Sequence, residues 1–297
     1  MLRRSTDNGT SWSPAATFYK PQDAAQIAGN PTVVFDAVRG RAVVVFSVGD
    51  AAHCNPGLWT LVSTSADEGQ SWSAPLNISA QLGSWAGALP GPGTAAQVPA
   101  GQAHAGRILV PAHLGAYVTD VVYYSDDGGA TWTVGGARLN KMDEAVVAAL
   151  GDGSLLLNMR NDHLTACKCR AVARSTDGGA SFSSVSFDST LVSPVCQASM
   201  AVVGTAQSLF FSNPASTSGR FNITVRRSDD GGASWRPQTF LANAGQSAGY
   251  SCLAAGGATA VDAASGREFG SILYESMGAS GSVASVSFRL FPLDLAA

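Results

Sequence analysis

Charge is scarce in this chain: Asp, Glu, Lys and Arg make up 13% of its 297 residues, and the formal net charge is −3. No basic face is available to meet a phosphate backbone, so nucleic acid is not an expected partner. Long apolar runs are missing too. The stretch from Ala42 to Val48 is typical of the longest and falls far short of the ~20 residues of a membrane-spanning helix. Few segments carry helical periodicity. Cysteine is limited to five positions, Cys54, Cys167, Cys169, Cys196 and Cys252. Cys167 and Cys169 stand too close for an ordinary disulfide, and no second pair sits at zinc spacing, so neither metal nor cofactor is expected. Cys196 and Cys252 either pair with each other or remain buried thiols. The histidines, His53, His104, His113 and His163, are scattered and form no triad with a nucleophilic Ser or Cys. No secretory leader is read at Met1-Leu2-Arg3-Arg4. Three glycosylation triplets, at Asn8, Asn77 and Asn222, matter only in a secreted protein. Cytoplasmic, lysosomal and secreted locations all stay open.

What the chain does have is glycine, 33 residues of it, and 45% hydrophobic residues, a composition that points to a folded all-β protein. It also has five copies of one pattern, Ser-x-Asp-x-Gly-x-Ser/Thr-Trp/Phe. They run Ser5–Trp12, Ser65–Trp72, Ser125–Trp132, Ser175–Phe182 and Ser228–Trp235, at steps of 60, 60, 50 and 53 residues. Asp and Gly at the centre favour a tight turn, and the flanking hydroxyl and aromatic residues favour strands. Each copy therefore reads as a hairpin tip with its Asp folded over the turn and its aromatic ring wedged beside it.

A fixed period of this length marks a repeat architecture. Each unit reads as four strands, with the motif joining the third to the fourth. Thr32 to Ala37 and Ala42 to Val48 flank a turn at 38–41, and Leu58 to Ser65 runs into the second motif. Gly106 to His113 and Ala116 to Tyr124 precede the third. Ala145 to Leu150 and Ser154 to Met159 flank Gly151-Asp152-Gly153, a strong hairpin signal, and Arg170 to Ser175 follows. Ala198 to Val203, Ser208 to Ser212 and Asn222 to Ser228 make the fifth unit. Gly249 to Ala254, Glu268 to Glu275 and Ser282 to Pro292 make a sixth without the motif. The expected fold is a single domain over residues 1–297, a six-bladed β-propeller of four-stranded antiparallel sheets. Its first blade is incomplete at the N-terminus, because only Leu2 to Ser5 precedes the first motif.

The repeated motif resembles the Asp box of the sialidase (neuraminidase) family, and the likeness extends past the boxes. Met142-Asp143-Glu144 with 146–150 and 153–160 is similar to the family segment bearing a glutamate on an inner strand and an arginine at the end of the next. Phe210-Phe211-Ser212-Asn213-Pro214 with Arg220 and 223–226 resembles the segment of another active-site arginine. Gly249-Tyr250-Ser251-Cys252-Leu253 resembles the nucleophile segment, and Leu273-Tyr274-Glu275 its following strand. The resemblance implies a retaining exo-α-sialidase that releases terminal sialic acid from glycoproteins, gangliosides or oligosaccharides. It makes Tyr250 the nucleophile, Glu144 its base, Arg160 and Arg220 the clamp for the sugar carboxylate, and Glu275 an arginine-orienting group.

The residue types suit that chemistry. A guanidinium fork matches a carboxylate bidentately. An anionic nucleophile would be repelled by the carboxylate on the anomeric carbon, whereas a phenol is neutral until a base takes its proton. One departure stands out. The family places a further arginine, in an Arg-Ile-Pro-like segment, and an aspartate general acid upstream of the first box, positions that would precede Met1. N-terminal truncation is therefore expected, and the chain is expected to be a monomer acting on sialylated glycoconjugates, possessing the nucleophile half of the site. Two other readings stand beside it: an inactive propeller that binds a carbohydrate or protein, and a hydrolase of a related ulosonic acid.

Overall fold

A computed structural model of the chain describes residues 1–50, 57–114, 119–136, 139–163, 166–204, 207–236, 240–241, 245–254, 260–261, 268–278 and 282–294. Cys54, His53 and the start of the strand expected from Ala116 lie outside them. Fifteen longer strands carry the fold: β1 (Gln26–Asp36), β2 (Arg41–Asp50), β3 (Gly57–Ser65), β4 (Ile108–Leu114), β5 (Thr119–Ser125), β6 (Asp143–Ala149), β7 (Leu155–Arg160), β8 (Cys169–Ser175), β9 (Ser186–Val192), β10 (Ser199–Val203), β11 (Ser208–Pro214), β12 (Ile223–Ser228), β13 (Ala248–Ala254), β14 (Glu268–Met277) and β15 (Val283–Pro292). The described helical segments, Ser79–Leu82 and Gly83–Trp85, are single turns. Among the described residues no helix is long and apolar enough to cross a membrane.

Among the described residues the strands form five sheets in chain order, arranged as propeller blades. β3-β2-β1 make the first, β5-β4 the core of the second, β6-β7-β8-β9 the third, β10-β11-β12 with Phe240–Leu241 the fourth, and β13-β14-β15 with Ala260–Val261 the fifth. The expected count of six is thus corrected to five. Four residues before the first box cannot supply inner strands, and that segment makes one isolated antiparallel bridge, Leu2 to Ala16. The expectation of uniformly four-stranded antiparallel sheets is corrected as well. The first sheet has five strands and the second six, and Gly93–Thr94 pairs with β1 in parallel.

Each interior sheet is covered on both faces, which explains why β2 reads as an unbroken apolar run and not as an alternation. Val43 and Val45 face the core shared with the second sheet, while Val44, Phe46 and Val48 face Phe18, Tyr19 and Trp72. Phe210 and Phe211, neighbours in β11, enter two different inter-sheet cores in the same way. Adjacent side chains of a strand point to opposite faces, so one dipeptide ties two blades together.

The boxes fold as their residue types dictate. In the third, Ser125 Oγ donates to Asp127 Oδ1 at 2.8 Å and accepts from the Gly129 N–H at 2.7 Å. Asp127 accepts from the Thr131 N–H at 2.8 Å and from its hydroxyl at 2.6 Å. Trp132 Nε1 donates to the Gly129 carbonyl at 3.0 Å. Gly129 sits at φ +97°, a region that favours glycine. The first box closes the ring at its rim. Trp12 meets Phe288 of β15 edge-on at 5.5 Å, and Arg4 Nε donates to the Glu68 carbonyl of the second box at 2.7 Å.

Cys167 and Cys169 are joined, which corrects the expectation from their spacing. An extended strand would put residues i and i+2 about 6.6 Å apart, but the chain bends here and brings their Cα atoms to 5.2 Å, within disulfide range. Cys196 and Cys252 are free thiols.

Candidate active site

The innermost strands of the third and fifth sheets carry the central pair. β6 pairs with β7 through Asp143–Arg160 and then Ala145–Met159, so the register shifts and Glu144 becomes the extra residue of a bulge. A bulge re-aims a side chain that regular alternation would send to the other face. Here it lets two consecutive carboxylates approach one guanidinium. Arg160 Nη1 lies 2.8 Å from Glu144 Oε2 and 3.1 Å from Asp143 Oδ2, while Nη2 reaches Asp162 Oδ1 at 2.9 Å. Asp143 also accepts the Glu144 N–H at 2.6 Å, which fixes the bulge from inside.

A second register shift, between Ala248 and Ser251, marks β13 where it carries Tyr250. The phenolic O–H of Tyr250 donates to Glu144 Oε1. Its backbone N–H donates to Glu275 Oε2 on β14 at 2.8 Å. Arg220, in the connection between β11 and β12, places its guanidinium carbon 5.7 Å from the centre of the Tyr250 ring. One of its Nη atoms donates to the Val195 carbonyl at 3.3 Å. Tyr250, Glu144 and Arg160 are thus linked in one hydrogen-bonded chain, Arg220 stands over the phenol, and Glu275 accepts the backbone N–H of Tyr250.

Burial sets the electrostatics. It pushes the Tyr250 phenol above its ordinary value, and the Glu144 charge and hydrogen bond add to the rise. The proton therefore stays on Tyr250 in the resting site, directed at Glu144. Burial opposes the charge of Arg160, but Glu144 and Asp143 outweigh it and hold the guanidinium ionised. Asp143, fully buried, is raised to about 7 by burial and then by the Glu144 charge, against the pull of Arg160. His113 of β4 lies with Nε2 3.4 Å from Asp143 Oδ1. Burial and then Arg160 lower it to about 4, so at neutral pH this contact is a neutral imidazole against a carboxyl group. Among the described residues no group of three or more His, Cys, Asp or Glu could hold a metal ion.

Sequence reasoning missed Asp143, Asp162 and His113 as members of this cluster. The Asp143-Glu144 dipeptide is the available signal, but a regular strand sends adjacent side chains to opposite faces, and nothing local announces the bulge.

A cavity of about 300 Å³ beside Tyr250 is lined by Pro92, Gly93, Gln197, Cys252, Leu273 and Glu275 among others. A larger one of about 930 Å³ runs along the inner strands and opens between the first and fifth sheets.

The family model of the BNR repeat-like domain matches residues 1–262. A sialidase of Bacteroides fragilis (strain YCH46) is 31% identical over 98% of this chain and 56% of its own length. A sialidase of Micromonospora viridifaciens is 34% identical over 79% of this chain and 40% of its own. The chain spans about half the length, or less, of these curated relatives. Among solved structures, the Hadza microbial sialidase Hz136 superposes with a TM-score of 0.77 at 28% identity, over 98% of this chain and 58% of that one. The matched repeat model and the propeller carrying five Asp boxes together place the chain in the BNR-repeat sialidase family.

Proposed function

We propose that this chain works as a retaining exo-α-sialidase, with Tyr250 as nucleophile and Glu144 as its base. The observation that carries the reading is the hydrogen bond from the Tyr250 phenol to Glu144, made by two strands 106 residues apart. Arg160 and Arg220 flank that bond and offer guanidinium groups to the carboxylate of a terminal sialic acid. A carboxylate arriving at Arg160 competes with Glu144 for the same nitrogen and frees Glu144 to take the phenolic proton. Tyr250 Oη then bonds to the anomeric carbon as the glycosidic C–O bond breaks and the leaving oxygen takes a proton from water. In the second half, water attacks the anomeric carbon and loses its proton to the hydroxide left by the first half, the electron pair returns to Tyr250, and Glu144 gives the proton back. Glu275 holds the Tyr250 backbone during both steps. The substrates are sialylated glycoconjugates, consistent with the names of the two bacterial relatives.

The test is turnover of a fluorogenic aryl sialoside. The chain is expected to release the fluorophore, and Tyr250→Phe and Glu144→Gln are each expected to lower kcat by ~10² or more. Turnover that survives Tyr250→Phe overturns the nucleophile assignment. Binding of free sialic acid without turnover would instead make the chain a carbohydrate-holding propeller, and turnover only of a related ulosonic acid glycoside would shift the substrate class.

A further inference from the structure

We propose that Gln197, which no step above uses, is the positioning residue that sets Tyr250 against Glu144. The inference rests on the sialidase reading for its catalytic consequence, and on geometry alone for its structural one.

Ser251, next to Tyr250, stays in the ladder with β14 opposite Tyr274, and β13 is the inner edge of its sheet. Backbone groups that face away from the sheet at a buried inner edge need other partners. Gln197, in the connector that leads into β10, supplies them. Its Oε1 accepts the Ser251 N–H at 3.0 Å, and its Nε2 donates to the Ser251 carbonyl at 2.9 Å. The side-chain amide thus pairs with Ser251 on both its donor and its acceptor, as a neighbouring strand would. Nε2 has a second proton and donates it to the Pro92 carbonyl at 2.8 Å. Every polar atom of this amide is used, and the residue is 2% exposed.

The same connector reaches Arg220. Val195 sits at φ +58°, a left-handed conformation that is strained for a β-branched residue. In that conformation its carbonyl receives the Arg220 guanidinium. Cys196 between them gives its carbonyl to buried Arg170 at 2.6 Å. Three consecutive residues therefore hold one clamp arginine, one structural arginine and the strand of the nucleophile. Backbone strain kept at such a junction fits a site whose geometry is over-determined by its surroundings.

A control lies two residues on. Ser199 Oγ accepts the Leu253 N–H at 2.9 Å, the same kind of inter-sheet contact made away from Tyr250. The experiment compares Gln197→Met, which keeps length and loses all three hydrogen bonds, Gln197→Glu, which keeps the acceptor and loses both donated bonds, and Ser199→Ala. Amide hydrogen exchange is read at 249–254, together with kcat and KM on an aryl sialoside and the thermal midpoint. Gln197→Met is expected to speed exchange at Ser251 by at least tenfold and to lower kcat by at least tenfold with KM within threefold. Gln197→Glu is expected to keep Ser251 N–H protected and still lose kcat. Ser199→Ala is expected to speed exchange at Leu253 with kcat unchanged. Unchanged exchange at Ser251 in Gln197→Met overturns the proposal, as does unchanged kcat. If the wild-type chain shows no turnover, the sialidase reading fails by itself, and the exchange pattern decides whether Gln197 holds the Tyr250 strand. Should Gln197→Met fail to fold, Gln197→Glu carries the kcat arm.

Discussion

Asp143 is fully buried beside Glu144, Arg160 and His113, and its raised proton affinity has a definite consequence for stability. The ordinary carboxyl value is 3.8 and the folded value is about 7. A raised folded value means that the folded state holds the proton more tightly than the unfolded one. The stabilisation is complete below pH 3.8 and is lost as pH rises toward 7. Asp143→Asn removes that dependence. Relative to the wild type, the variant is expected to gain stability between pH 4.5 and pH 7.5, measured by denaturant unfolding at each pH; a constant difference would show that Asp143 does not titrate in the folded chain. The neighbouring His113, Asp162, Asp120 and Arg160 all act on this cluster, so the comparison uses one substitution in an otherwise intact site.

At the scale of the element, the Asp boxes make the opposite prediction. Asp230 is lowered to about 2, first by the Ser234 hydroxyl and then by the Ser234 N–H, and Asp7 and Asp67 are lowered likewise by Ser11 and Ser71. A depressed folded value stabilises above the ordinary 3.8 and is lost as pH falls through about 2. Acid unfolding is therefore expected to steepen between about pH 4 and pH 2, and Ser234→Ala, which removes a hydrogen bond to the charged group, is expected to shift its midpoint upward. An unmoved midpoint would count against the box as an acid-sensitive lock. The boxes were also the most legible elements, because the hydrogen bonds that close each turn lie within eight consecutive residues. The same locality made the β6–β7 hairpin readable from Gly151-Asp152-Gly153. The contacts of Gln197 and His113 were not readable. Gln197 meets Ser251 across 54 residues, and His113 meets Asp143 from another sheet; a glutamine in an irregular connector carries no periodic signal. Tyr250, Glu144, Arg160 and Arg220 were legible through family resemblance, while the bulge that unites Asp143 with Glu144 was not, since it breaks the alternation on which strand reading depends.

For the whole molecule, the departure from six sheets concentrates apolar surface in one place. Interior sheets bury both faces, but Phe35 of β1 is 61% exposed and Val286 of β15 is 63% exposed, and Val33, Phe35, Leu273 and Phe288 all line the larger cavity. Contiguous apolar surface of this kind takes up apolar probes. The folded chain is expected to bind an anilinonaphthalene dye at neutral pH, and Phe35→Ser combined with Val286→Ser is expected to weaken its fluorescence without lowering the thermal midpoint. Dye binding unaffected by that pair would place the accessible apolar surface elsewhere. The repeat period marked a further unit, with its own box, ahead of the five described sheets. It did not reveal that the outer part of that unit still seats itself, through Trp12 on Phe288 and Arg4 on Glu68.

That seating has a mechanical consequence. Trp12 of the first box and Phe288 of β15 are distant in sequence, and their edge-on contact joins the first box to the fifth sheet. Force that parts the first box from β15 meets this edge-on contact without unzipping the β14–β15 ladder, so a shear between the two segments should separate them there first, with the blades unravelling only afterwards.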